Sequence, residues 1–256
     1  MDAVVLFFAA LLANTLSALA GGGAGLLQLP VLLMLGLSFP AALATHKVAS
    51  VALGIGATVR HLREGRLRWR FACFVLAWGL PGVWLGTQWI LSVADVWAEL
   101  ALGVLTLGLG VYSWCSPALG QRTERLHREG VGLWLGGGGL FLIGALNGSL
   151  SSGTGLFVTI WLVRWFGLDY VRAVSYTLVL VGLFWNGLGA VMLSVQAPVR
   201  WDWMPALLAG SLLGGYLGAH WALLKGNWLV KRVFEVLAVL AGLKLLSDAV
   251  LHWPVG

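Results

Sequence analysis

The apolar positions of the chain gather into eight runs, at about 4–36, 39–60, 71–91, 96–115, 131–166, 170–195, 203–223 and 229–251. An α-helix crosses a bilayer with about 20 apolar residues. Six of the runs have that length and predict one crossing helix each. The runs 4–36 and 131–166 are too long. A straight helix over 4–36 would extend about 50 Å, against a hydrocarbon core of about 30 Å. Both long runs are interrupted by glycine, in AGGGAG at 20–25 and in NGSLSSGTG at 147–155. Each helical glycine costs about 1 kcal/mol relative to alanine, so Gly21, Gly22, Gly23 and Gly25 together mark a place where the helix breaks.

The breaks occupy matching places in two halves. Aligning Gly25 with Gly155 brings Gly23 onto Gly153 and, after gaps, Gly36 onto Gly167 and Trp69 onto Trp201. Further on, Gly82, Gly86 and Trp89 meet Gly214, Gly218 and Trp221. The chain therefore divides into a first repeat over 1–117, a basic linker over 118–130 and a second repeat over 131–256. A broken helix at corresponding positions of two repeats is the strongest sequence pointer to a transporter binding site.

Loop charges choose the topology. If each long run is a re-entrant hairpin that enters and leaves on one side, each half has one hairpin and three crossings, and the halves are inverted. With both termini outside, the cytoplasmic side receives 13 basic residues, and Arg200 alone lies outside. Plain crossings of all eight runs give at best nine inside and five outside. The positive-inside rule favours the hairpins. The expected fold is an all-α integral membrane protein of two inverted repeats, each a Gly-tipped re-entrant helix hairpin plus three transmembrane helices.

Composition agrees. The chain is 59% hydrophobic and 10% charged, where a soluble domain carries about 25% charge. Its longest polar stretch, SPALGQRTERLHREG at 116–130, is too short to bury a core. The net charge of +6 sits in short loops, so it orients the chain in a membrane and does not point to nucleic acid. Cys73 and Cys115 form no metal-ligand spacing, and no metal or cofactor is expected. The N-terminal stretch carries Asp2 and no basic leader region, and is read as a retained helix.

Backbone that leaves the helix inside a membrane must be satisfied by protein or by a watery cavity. The turn also bares N–H groups at the start of the hairpin's second arm, which with the helix dipole favour an anion. Candidate substrate contacts are therefore Gly21, Gly22, Gly23 and Gly25 at the first tip, and Asn147, Ser151, Ser152, Gly153, Thr154 and Gly155 at the second. For the serines and threonine there, helix capping is the alternative role, compatible with binding. Lys47 lies about a third of the way into the run 39–60, where a lysine costs about 2.5–3.5 kcal/mol near the helix centre and less toward an end; snorkelling to the interface is its alternative role. Thr45, His46 and Ser50 cluster beside it, with purely structural hydrogen bonding as the competing role for His46. Gln28 can point inward from the first hairpin's second arm. Ser175, Thr177 and Asn186 complete the set, with Ser175 and Asn186 on one face of a regular helix and interhelical bonding as the competing role for Asn186. The acidic residues fall near segment ends or in loops, which leaves no deep carboxylate relay. The Gly-x-x-x-Gly pairs 82/86 and 214/218 read as close helix packing.

The stretch AGGGAGLLQLPVLLMLGLSFPAALATHKVASVALGIGATVRHLREGRLRW, from 20 to 69, resembles the first half of the sulfite exporter TauE/SafE family, and GTGLFVTIWLVRWFGLDYVRAVSYT and LLGGYLGAHWALL resemble its second half. The resemblance implies a bacterial-type inner-membrane transporter exporting sulfite, a sulfonate or a related sulfur anion by alternating access. Its partners would be a small anionic substrate and the lipid bilayer; the oligomeric state stays open, a homodimer included. Three positions depart from the family pattern: His46 stands where asparagine is frequent, Leu178 where a lysine is frequent, and Asn147 where an aspartate is common. An intramembrane enzyme and a membrane scaffold or insertase are the alternative classes. No G-x-S-x-G or H-E-x-x-H motif supports the first, and a scaffold has no need of two glycine-broken segments.

Overall fold

The computed structural model describes residues 2–65, 67–89, 95–149 and 153–251, which are helical without a strand. In chain order the elements are α1 (Asp2–Ala20), α2 (Ala24–Met34), α3 (Phe39–Leu62), α4 (Trp69–Trp89), α5 (Asp95–Trp114), α6 (Gly130–Ser149), α7 (Thr154–Arg164), α8 (Tyr170–Tyr176), a π-helical stretch (Thr177–Trp185), α9 (Asn186–Gln196), a 3₁₀ turn (Trp201–Trp203) and α10 (Met204–Leu251). Among the described residues, five stretches are long and apolar enough to cross a membrane: Ala3–Ala20, Phe39–Leu62, Trp69–Gln88, Gly130–Ser149 and Tyr170–Gln196. The protein is an all-α membrane protein, as its apolar runs predict.

Both long runs break at their glycines. The Ser17 carbonyl accepts the N–H groups of Gly21 and Gly22 at 2.8 Å and closes α1. Gly23 then takes φ 97° ahead of α2, and Gly153 takes φ 75° ahead of α7. These left-handed values cost other residues about 1–2 kcal/mol. The two arms of each hairpin are unequal. In the first, α1 has 19 residues and α2 has 11; in the second, α6 has 20 and α7 has 11. The long arms rise about 30 Å and the short arms about 16 Å.

Small residues let the halves interlock. On α4, added Cβ atoms at Gly82 and Gly86 would lie 2.1 Å from Phe141 O and 2.0 Å from Ala145 O of α6. On α10, those at Gly214 and Gly218 would lie 2.6 Å from Leu11 O and 2.3 Å from Thr15 O of α1. Each Gly-x-x-x-Gly pair thus lies against the long hairpin arm from the opposite half of the sequence, at the close backbone approach such motifs permit.

Two runs differ from simple helices. The runs 203–223 and 229–251 belong to one 48-residue element bent at Gly226, where φ 75° and ψ −170° leave helical space. Each arm is longer than the hydrocarbon core at 1.5 Å per residue. The run 170–195 changes to π-helical bonding in mid-membrane, where Gly182 faces Gly54 of α3. Single-turn π insertions often occur at functional sites; this one is nine residues long.

The linker is docked rather than loose. Tyr170 N donates to Gly120 O at 2.9 Å, Glu124 N to Gly167 O at 2.7 Å, and Asn227 Nδ2 to Gln121 O at 3.0 Å. Thr123 Oγ1 donates to Asp169, whose carboxylate also accepts Arg172 N as the cap of α8. Arg128 bonds Phe166 O through both Nε and Nη2.

Candidate functional site

The two glycine tips meet. A Cβ on Gly22 would lie 2.5 Å from the Gly155 backbone, and one on Gly155 would lie 2.8 Å from the Gly22 Cα. Only bare backbone allows that approach. The N-termini of α2 and α7 thereby border one cavity of about 40 Å³, at Gly23, Ala24 and Gly25 on one side and Thr154 and Gly155 on the other. Neither Gly23 nor Gly153 supplies a side-chain cap; Leu26 N and Leu156 N bond back to the Gly23 and Gly153 carbonyls at 3.0 and 2.9 Å, so the donors the two helix starts offer are the N–H groups of Ala24 and Gly25 and of Thr154 and Gly155. On the same measure a water needs about 10–15 Å³, so the space admits about three water-sized groups.

Polar side chains complete the lining. Ser17 on α1 borders the cavity, is 1% exposed, and its hydroxyl has no partner among the described residues. Asn186 borders it from the end of the π stretch. Asn147 on α6 donates Nδ2 to Thr154 Oγ1 at 2.8 Å and so ties the long arm of the second hairpin to the start of the short one.

Lys47 stands directly behind these asparagines. It is fully buried, and its stem packs over Gly189. Nζ donates to Asn147 O and Asn147 Oδ1, each at 2.9 Å, and to Asn186 Oδ1 at 3.1 Å. An ammonium has three N–H donors and a neutral amine two, so three acceptors match the charged form. All three are neutral, and no ion pair to Lys47 occurs among the described residues. The cavity is thus backed by a buried lysine amino group held by two asparagines, with no carboxylate bonded to it among the described residues.

Most candidates from the sequence gather here. Gly21, Gly22, Gly23, Gly25, His46, Ser50, Asn147, Thr154, Gly155, Thr177 and Asn186 all border the cavity. Gly153 caps α7 beside it, and Ser151 and Ser152 lie outside the described residues. Gln28 is one step back: its Oε1 accepts from His46 Nδ1 at 3.0 Å, which places the imidazole proton on that nitrogen. Ser50 Oγ donates to Lys47 O at 2.8 Å. Two candidates point elsewhere. Thr45 Oγ1 accepts Arg200 N at 3.1 Å and anchors the loop before α10. Ser175 bonds His61 Nδ1 at 2.9 Å and donates to Val171 O at 2.8 Å. Its expected shared face with Asn186 assumed an unbroken α-helix, and the intervening π stretch changes the phase.

Sequence reasoning missed Ser17 and Thr159. Thr159 on α7 is buried, and its hydroxyl lies 2.9 Å from Gly21 O of the first tip and 3.0 Å from Thr177 Oγ1 of the π stretch. A small polar residue four positions before a glycine run, as Ser17 is, was the available signal; Thr159 gave none. The burial of one acid beside the end of α5 was not visible in the sequence either. Glu235 of α10 is 0% exposed, accepts from Ser113 Oγ at 3.1 Å, and pairs with Lys231 at 3.4 Å and Arg232 at 2.9 Å. Two cations and a hydroxyl make its burial tolerable, where an unpaired carboxylate would not be.

The chain matches the family model described as sulfite exporter TauE/SafE over residues 6–245. A probable membrane transporter protein of Haemophilus influenzae is 29% identical over 247 residues, covering 95% of this chain and 94% of its own length. The probable membrane transporter protein YfcA of Escherichia coli K12 is 29% identical, with 97% of this chain and 93% of that protein covered. The probable membrane transporter protein ORF9 of a Sinorhizobium species is 26% identical, with 95% and 92% covered. No solved structure matches the chain significantly.

Proposed function

The chain belongs to the sulfite exporter TauE/SafE family, and from that premise we propose that it exports a small anion, namely sulfite, an organosulfonate or a related sulfur anion, by alternating access. It is a multi-pass membrane transporter, which implies a bilayer around it and a small-molecule substrate. A family of membrane transporters points away from an enzyme. The reading includes an inner-membrane location, with both termini outside, and two inverted repeats over 1–117 and 131–256 joined by the linker 118–130. Hairpins with nearly the same arm lengths and the same left-handed glycine before each short arm support the repeat.

One observation carries the anion assignment: two helix N-termini border a single small cavity backed by a buried lysine amino group whose hydrogen-bond partners are neutral. In this reading the N–H groups of α2 and α7, the Ser17 hydroxyl and the Asn186 amide bind the oxygens of the anion. Lys47 does not touch it. The lysine fixes both asparagine carbonyls, turning their NH₂ groups away from itself, and supplies the charge that the anion neutralises. Half-charges at two helix ends are each about +0.5, so with Lys47 the site carries roughly +2. Low dielectric makes that charge felt strongly.

The test is a thermal-stability screen of purified protein with sulfite, sulfate, thiosulfate and small sulfonates. A ligand at a hundredfold excess over its dissociation constant stabilises by about 2.7 kcal/mol. Stabilisation by one or more of these anions, and none by neutral analogues, is the expected result. No response to any of them at saturating concentration would overturn the assignment.

A further inference from the structure

A second, larger cavity lies at the end of the molecule where α5 and α7 finish and the linker arches between them. Its volume is about 650 Å³, against about 40 Å³ at the tips. One part of its wall is apolar, from Leu119 on the linker, Val163 on α7 and Leu168 in the turn after it, with Tyr112 from α5. The other part is charged, with Arg122 and Arg164 set against the single acid Glu124. Both arginines are exposed, and neither guanidinium makes a side-chain hydrogen bond or ion pair with a described residue. The arch over this space is held by the backbone bonds at Gly120 and Glu124 and by the Asn227 clamp, so the cavity is part of the ordered fold.

The chemistry selects the occupant. A free oxoanion would use the guanidinium groups and gain nothing from apolar walls. A phospholipid with an acidic headgroup uses both: its phosphate pairs with arginine and its glycerol and first methylenes cover leucine and valine. The level is right as well, because the last turns of two apolar helices and a basic segment meet there, which is where a bilayer's headgroups lie. We propose that the arch of residues 116–126, with the ends of α5 and α7, is a binding site for one anionic phospholipid, held through Arg122 and Arg164. This inference concerns the membrane and not the transported anion, so it stands or falls separately from the export reading.

The experiment uses the full chain in nanodiscs of phosphatidylcholine alone and of phosphatidylcholine with phosphatidylglycerol. Lipid retained by the protein is counted by native mass spectrometry, and the melting temperature is followed in parallel. The wild type is expected to retain phosphatidylglycerol in preference to phosphatidylcholine. Each arginine near an anionic surface contributes about 1 kcal/mol, so the double variant Arg122→Gln/Arg164→Gln should lose roughly tenfold to thirtyfold in preference. Leu119→Trp, which keeps both arginines and fills the apolar part, should also reduce retention. Equal retention of the two lipids by the wild type, or preference unchanged in both variants, would overturn the site. Inorganic phosphate is the distinguishing arm. If phosphate alone raises the melting temperature of lipid-free protein as much as the lipid does, and the double variant abolishes that rise, the cavity takes a free anion and the lipid assignment fails.

Discussion

Lys47 and Asn147 lie 100 positions apart in sequence and are joined twice, through the asparagine side chain and through its backbone carbonyl, each at 2.9 Å. The double bond places the lysine charge at the point where the second hairpin turns toward its short arm. Asn147 passes the connection on to Thr154, the first residue of α7. A side chain that is costly in an apolar segment is thereby fully hydrogen-bonded without an acidic partner.

Replacing this lysine tests both its charge and its bonds. Lys47→Met keeps the stem that packs on Gly189 and removes the ammonium. Anion affinity should fall at least about tenfold, since a buried charge behind the cavity acts on the anion through a low dielectric without touching it. Three carbonyl acceptors that each lose the lysine as donor should also lower the melting temperature. Lys244→Gln serves as control, because Lys244 is already paired with Asp248 on its own helix. Equal affinities in the two variants would remove Lys47 from the site.

Gly22 and Gly36 separate strain from contact. Both have positive φ, 149° and 89°. A Cβ on Gly36 meets nothing within 4 Å, whereas one on Gly22 meets the Gly155 backbone at 2.5 Å. Gly36→Ala should cost about 1–2 kcal/mol from its left-handed backbone. Gly22→Ala should cost about 1–3 kcal/mol more, from overpacking, and should abolish anion-dependent stabilisation. Chemical denaturation of both variants in detergent gives the comparison; similar losses would mean that the tips do not rely on touching.

The buried acid of α10 predicts a stability effect away from the cavity. Glu235→Gln leaves Lys231 buried without its carboxylate and should destabilise the protein by about 3 kcal/mol, the scale of a broken buried pair. Melting temperature reports this. The anion affinity of the folded variant should stay at the wild-type value, and a selective loss of affinity would assign Glu235 to transport.

The inverted topology is tested by labelling from each side of the membrane. Cys73 and Cys115 are exposed and are first replaced by serine. Single cysteines then go to Ser38, before α3, and Arg164, after the second tip; Asp169 is unsuitable because it is buried and caps α8. Ser38 should label from outside and Arg164 from inside. Labelling of both from one side would exclude the inverted hairpins.

The sequence made the hairpins legible because glycine is expensive in a helix, and four within five positions have few explanations. Lys47 was legible for the same reason: an ammonium in an apolar run carries a visible cost. Asn147 and Asn186 could be named as candidates, but their joint bond to Lys47 depends on how three distant helices cross, which no local pattern encodes. The π stretch left no trace, since Thr177–Trp185 is as apolar as any buried helix, and the resulting phase change misdirected the reading of Ser175. Thr159 was hidden by its ordinary place in a short helix. The burial of Glu235 left no trace because Ser113 and the Lys231–Glu235 pair come together only when α5 packs on α10.

The interlocked glycine faces bear on how the protein is made. Synthesis runs from the N-terminus, so α4 waits only for the next hairpin before Phe141 and Ala145 cover Gly82 and Gly86. The helix α1 precedes the other described elements, yet its partners Gly210, Gly214 and Gly218 belong to α10, the last of them. The face of α1 that packs on α10 therefore stays unmatched while α2 to α9 are made. A product that stops before residue 204 leaves the carbonyls of Phe7, Leu11 and Thr15 on α1 without the glycine face that covers them.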